Sequence, residues 1–142
     1  MLSLVNIRRF GKMIKQNRTF THEDAQIFGT LVNDHNKIHF DEEYAKTTIF
    51  GQRIVHGMLL GGFISGILAN EFPKAVYKSQ NYKFIRPVYF NEEIQARLVI
   101  ISSLEKEKGT EMKLETNIYK KNETGEHSVL IIKGEAEILV LK

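Results

Sequence analysis

Two periodicities divide the chain. As far as Phe72 the apolar residues recur at helical spacing, and from Val76 onward they fall into runs typical of strands. The first helical stretch follows Thr21, which forms a T-x-x-D box with Asp24. In such a box the hydroxyl accepts a backbone N–H that the helix start leaves orphaned. Ala25, Phe28, Leu31 and Val32 then recur at helical spacing, predicting a helix from about His22 to Val32. Polar residues interrupt the pattern at Asn33–Asn36. Asp41 is placed to cap a second short helix through about Thr47, and Gly51 closes it.

The least polar stretch runs from Ile54 to Phe72 and is apolar almost all round, so it predicts a buried helix ended by Pro73. Gly57, Gly61, Gly62, Ser65, Gly66 and Ala69 are small enough to let other backbone pack closely. Four glycines cost roughly 3–4 kcal/mol of helix propensity relative to alanine, so close packing or function must compensate.

Val76–Tyr89, Ile94–Leu104, Thr110–Lys120 and Val129–Leu141 are β-branched or aromatic-rich. Turn signals at Asn91–Glu92, Lys108–Gly109 and Asn122–Gly125 separate them. Pro87 fits a bulge or an edge position. Helices followed by a strand meander define an α+β fold, an antiparallel sheet covering one long apolar helix. A sheet covered on one side in so small a chain gains by pairing with a second copy.

Composition narrows the function. The 142 residues are the length of one domain, and the absence of cysteine excludes disulfides, thiolate metal sites and a cysteine nucleophile. No apolar run reaches the roughly 18 residues of a membrane span. The net charge of +3 is unevenly placed. Residues 1–22 hold Arg8, Arg9, Lys12, Lys15 and Arg18 with no acid, while the other 15 Lys and Arg face 17 Asp and Glu. A nucleic-acid surface would spread its cations over the fold, so that partner class is disfavoured. Residues 1–17 therefore read as a basic arm preceding a domain at 18–142. If helical, the arm segregates a basic face and suggests a mitochondrial address, with a cytoplasmic location as the alternative; the other reading of the arm is an ordinary first strand or irregular segment with solvated lysines.

The candidate chemistry lies in the loop N-D-H-N-K-I-H. Asp34 and His39 can share one water, the carboxylate accepting its proton and the imidazole exchanging a proton near neutrality. His56–Gly57 stands at the start of the long segment. A helix N-terminus offers free N–H groups there, and glycine lets a carbonyl oxygen approach them. Ser65, eight residues on, returns to roughly the same face.

Together these residues carry a resemblance. Asn33–His39 followed after five residues by Ala45 resembles the D-x-N-P-[apolar]-H-x5-[A/S] signature of the MaoC-like (R)-specific enoyl-CoA hydratases. Thr47–Gly66 is similar to that family's entry into its central helix, and Phe84-Ile85-Arg86-Pro87-Val88 to its F-x-R-P-V strand. The 3-hydroxyacyl-thioester dehydratase type 2 branch shares the T-F-T-x-x-D entry at Thr19–Asp24.

The resemblance implies a hot-dog fold, usually a homodimer, that hydrates trans-2-enoyl and dehydrates (R)-3-hydroxyacyl thioesters. It implies Asp34 and His39 as the catalytic pair, Gly57 as the polarising N–H, and Ser65, Asn36 and His56 in support. No metal or cofactor is implied beyond the CoA or acyl-carrier-protein phosphopantetheine borne by the substrate. His22, His35 and His127 are expected to be solvated. Two departures stand out: Asn33 replaces a glycine, and Lys37 replaces a proline, removing a fixed φ between the catalytic residues. A hot-dog thioesterase, or a catalytically idle thioester-binding subunit of a larger mitochondrial assembly, are the alternatives.

Overall fold

Strand β1 (Met13–Thr19) precedes helices α1 (His22–Val32), α2 (Lys37–Phe40), α3 (Glu42–Lys46) and α4 (Gly57–Glu71); strands β2 (Ala75–Phe84), β3 (Glu93–Glu105), β4 (Gly109–Lys121) and β5 (His127–Leu141) follow. This is a computed structural model, and it describes residues 11–142. The strands form one antiparallel sheet in the order β1-β3-β4-β5-β2.

Alternation determines which face of the sheet is dry. Ile94, Ala96, Leu98 and Ile100 on β3, Met112, Leu114 and Ile118 on β4, and Ile132, Ala136 and Ile138 on β5 are buried. They form one core with Leu60, Ile64, Ile67 and Leu68 of α4. Arg97, Lys113, Glu115 and Glu137 belong to the opposite set of strand positions. There the Arg97 guanidinium lies over the Tyr119 ring and Lys113 pairs with Glu137 at 3.4 Å. A sheet that is apolar inside and polar outside is the expected pattern for an antiparallel sheet packed on one side only.

Two of the α4 glycines are explained by close approach. A Cβ at Gly61 would lie 2.7 Å from the Tyr82 ring, and one at Gly57 the same distance from the Phe84 ring. The Tyr82 hydroxyl also donates to the Gly61 carbonyl at 2.9 Å, so that ring cannot simply step aside. Gly61→Ala is therefore expected to destabilise by about 1–3 kcal/mol, overriding its helix-propensity gain of roughly 1 kcal/mol. A urea midpoint unchanged or raised in the variant would contradict this packing.

Several expectations are corrected. Met13–Thr19 is a strand paired in register with Val99–Glu93, so the sheet takes in residues assigned to the basic arm, and the helical alternative fails for that stretch. Residues 1–10, which include Arg8 and Arg9, lie outside the described residues. The long helix starts at Gly57 rather than Ile54: Ile54 bridges to Tyr89 and Val55 N–H donates to Val88 O at 2.8 Å. β2 ends at Phe84, which leaves Pro87 beyond the ladder. Helix α1 forms with its capping box intact, but it buries Ala25 and Gly29 while Leu31 and Val32 face solvent. Small residues one turn apart let the following loop cross close to the helix, and that crossing decides the buried face.

Candidate active site

The loop after α1 is positioned by glycine and asparagine. Asn33 takes a left-handed backbone, φ 58°, and ends the helix, as its replacement of a glycine allows. Asp34 N–H then donates to Gly29 O at 2.9 Å. A Cβ on Gly29 would sit 2.7 Å from the Asp34 carbonyl and 2.6 Å from the Phe40 ring, so glycine is what lets the loop lie there. Asn36 caps α2: its side chain accepts Ile38 N–H, and its own N–H donates to Asp34 Oδ1 at 3.2 Å. Its work is to orient the carboxylate and hold the turn.

His39 projects from α2. Its Nδ1 lies 2.8 Å from Ile54 O. A carbonyl can only accept, so in the neutral ring Nδ1 carries the proton and Nε2 presents its lone pair. Below it lies His56, stacked at 3.8 Å between ring centroids with planes 25° apart. Phe28 and Phe40 meet the His56 ring edge-on, at 5.0 and 5.5 Å. His56 is 2% exposed; its Nε2 is 3.5 Å from Asp34 O and 4.0 Å from Asp34 Oδ2, while Nδ1 is buried without a partner among the described residues. Burial first, and then the adjacent His39, lower its pKa below the ordinary imidazole value. A neutral His56 is thus the floor on which His39 rests.

This lowered pKa has a consequence for stability. The unfolded chain binds a proton at His56 near the ordinary value of about 6.5, and the folded chain only at lower pH. The contribution is fully present above the unfolded value and is lost as pH falls through the folded one. His22, shifted down by desolvation and by Arg53, adds an effect of the same sign. The melting temperature should fall from about pH 7.5 to about pH 5.5, and His56→Phe should flatten that slope. Equal slopes in both proteins would remove His56 as the cause.

Asp34, His39, His56 and Gly57 open onto one cleft of about 510 Å³, walled further by Phe50, Met58, Phe84 and Val88. Gly57 is the first residue of α4, and among the described residues no side chain caps that helix start. The backbone donors there face a mostly apolar space, which strengthens any hydrogen bond they make to developing negative charge. Asp34, His39 and His56 also offer donor atoms within 4.8 Å of one another, the ligand types of a divalent cation. Zinc bound by such atoms holds them about 3.3 Å apart, and stacked imidazoles aim their lone pairs in nearly parallel planes, so the arrangement suits proton transfer better.

Ser65 stands apart. It is half-buried on α4, two turns beyond Gly57, and does not line the cleft. His22 and His35 are exposed as expected, although His22 Nε2 is 3.1 Å from Arg53 Nη2. His127 is not solvated: its side chain is largely buried, with Nε2 3.0 Å from Glu93 Oε1. The carbonyl of Ile54, which fixes the His39 proton, and Phe84, which is 51% exposed over Gly57, were missed in the sequence as site elements. Phe84 carried a signal within F-I-R-P-V; a backbone carbonyl carries none.

The antiparallel sheet around one long helix, with a carboxylate–imidazole pair beside the helix start, defines a hot-dog protein built for acid–base chemistry. The sequence profile of the MaoC like domain matches residues 8–123. The chain is 32% identical over 132 residues to the mitochondrial 3-hydroxyacyl-[acyl-carrier-protein] dehydratase of Arabidopsis thaliana, covering 93% of this chain and 77% of the relative. It is 31% identical over 132 residues to the (R)-specific enoyl-CoA hydratase of Rhodospirillum rubrum, covering 92% and 86%. Among solved structures, the (R)-hydratase from A. caviae involved in PHA biosynthesis matches with a TM-score of 0.82 and 30% identity over 99% of both chains. This chain belongs to the MaoC-like domain family.

Proposed function

We propose that the protein is a hydro-lyase of fatty-acid metabolism that adds water to trans-2-enoyl thioesters and removes it from (R)-3-hydroxyacyl thioesters. The observation that carries the reading is the placement of Asp34 and His39 on the same cleft as the uncapped start of α4 at Gly57. Curated relatives named hydratase and dehydratase support it.

The chemistry follows from the groups. A water between the Asp34 carboxylate and His39 Nε2 loses a proton to the pair as its oxygen bonds to C3 of the enoyl group. The electron pair of the C2=C3 bond moves toward the thioester carbonyl, whose oxygen gains negative charge and accepts the Gly57 N–H at the positive end of α4. The proton is then delivered to C2, so that one water has been added and the thioester is intact. Dehydration is the reverse. Asp34 and His39 act on the same water in this cycle, one taking its proton while the other holds it in line. Asn36 and His56 hold them in place, and Ser65, which does not line the cleft, bears on the site only through its place on α4. The phosphopantetheine of CoA or of an acyl carrier protein arrives with the substrate, and none of these steps calls on a metal or redox group.

Purified protein should consume the conjugated enoyl absorbance of crotonyl-CoA with no release of free thiol. Thiol release with the enoyl group intact would identify a thioesterase instead.

The working unit in this reading is a homodimer. Among the described residues, Met58, Gly62, Gly66 and Ala69 leave one face of α4 open, and a Cβ at Gly62 or Gly66 would meet nothing within 4 Å. A helix apolar almost all round is covered on every side when its surface is complete. Sedimentation should give twice the chain mass, and Gly66→Glu should shift it toward the monomer; a wild-type monomer at micromolar concentration would contradict the dimer. A mitochondrial location belongs to the same proposal, supported by the mitochondrial names of two plant relatives and by the acid-free basic start of the chain.

A further inference from the structure

We propose that Arg53, outside the catalytic cleft, is a positioning residue for His39: it clamps the peptide that fixes the His39 ring. The inference rests on the hydration reading for its effect on rate, but its structural content is independent of that reading.

Helix α2, which carries His39, has four residues and cannot hold its own shape. The family's proline would set the backbone at its first position, where this chain has Lys37. The restraint comes from Arg53–Ile54, which grips three consecutive residues. Ile54 N–H donates to Ile38 O at 3.3 Å, His39 Nδ1–H donates to Ile54 O at 2.8 Å, and Arg53 Nη1 reaches Phe40 O at 3.5 Å.

Arg53 is itself tied to two further elements. Its Nη2 lies 3.1 Å from His22 Nε2 at the first residue of α1 and 3.9 Å from Glu42 Oε2 at the first residue of α3. His22 is steadied in turn by the Phe90 ring, 4.2 Å between centroids. The side chain is three-quarters covered, and a planar guanidinium with five donors can serve a carbonyl, an imidazole and a carboxylate at once. A lysine carries its donors on one nitrogen and lacks the fork that reaches Phe40 O from Nη1 and His22 and Glu42 from Nη2.

The grip matters because the Ile54 carbonyl selects the His39 tautomer. If residues 53–54 drift, Nδ1–H loses its acceptor, the proton redistributes between the two ring nitrogens, and Nε2 is no longer reliably bare toward the shared water. Misplacement of a catalytic group by about 1 Å can cost a hundredfold in rate.

Arg53→Met keeps the length of the apolar stem and removes every donor. In protein labelled with ¹⁵N-histidine, with the His39 signals assigned by their absence in His39→Gln, wild type should show protonated Nδ1 and bare Nε2. Arg53→Met should show averaged nitrogen shifts, with kcat for crotonyl-CoA hydration lower by roughly tenfold to a hundredfold and KM within about twofold. Arg53→Lys should fall between the two, and His22→Phe, which keeps the packing on Phe90, should show a smaller loss of the same kind. These two also serve if Arg53→Met fails to fold.

An unchanged His39 tautomer in the folded variants, or a kcat within twofold of wild type, overturns the proposal. So does a loss that tracks only the folded fraction in thermal melts. A wild-type protein that shows the expected tautomer and no hydration overturns the functional reading, and leaves the Arg53 clamp to stand or fall on the ring shifts alone.

Discussion

Asp34→Asn and His39→Ala should each lower kcat for enoyl-thioester hydration by at least about 10²–10⁴-fold while leaving a folded protein. Asn keeps the size of Asp34, and its carbonyl can still accept the Asn36 N–H that now lies 3.2 Å from Oδ1, so the turn survives. What is lost is a group able to take a proton from water. His39→Ala removes the Nε2 lone pair and uncovers the ring of His56, which is buried against it. That exposure makes His39→Ala the less stable of the two, so rates must be referred to folded protein. Substrate binding should suffer less, because most of the cleft wall is apolar and untouched by either change. A loss seen in KM alone would mean that these side chains bind the thioester without moving its protons.

The second large effect is expected at Gly57. Its Cβ position is occupied to within 2.7 Å by the Phe84 ring, and its N–H stands at the free start of α4. Gly57→Val adds bulk in the space that the thioester carbonyl must enter and pushes Phe84 toward the cleft. Loss of a single oxyanion donor costs about 10²–10³-fold in comparable sites, and a comparable fall in kcat/KM is expected here. Phe84 is half exposed and can turn, so the melting temperature should change little. The contact gives a sharper readout: Phe84→Ala should restore part of the activity of Gly57→Ala, because it makes room for the added methyl. Additive losses in that pair would mean that crowding by Phe84 is not the reason glycine is needed.

Much of this is legible in the amino-acid sequence, and the exceptions have physical causes. The capping box at Thr21–Asp24 and the Asp41 cap rest on local hydrogen bonds, and local patterns report such bonds directly. Strands β3, β4 and β5 were legible because one face is dry. Strand β1 was not, since it is an edge strand with nearly all its residues exposed and so has no alternation to read. The early start assigned to the long helix has a similar origin. Ile54 and Val55 are apolar because they pack as extended chain against Tyr89 and Val88, and periodicity does not distinguish that from a buried helix.

In the site, Asp34, His39 and Gly57 could be named from spacing and from the family pattern. The stack of His39 on His56 joins residues 17 positions apart, and the Ile54 carbonyl is backbone; neither leaves a mark on side-chain order. Ser65 shows the limit of such spacing: two turns along α4 from Gly57, it does not line the cleft.

The most direct measurement is a cycle of four proteins: wild type, Asp34→Asn, His39→Ala and the double variant, assayed for hydration of crotonyl-CoA. If Asp34 and His39 handle the protons of one water as a unit, wild type is active and the double variant loses about as much rate as either single one. Losses that multiply across the two positions, or a double variant that retains wild-type rate, would contradict the shared-water mechanism.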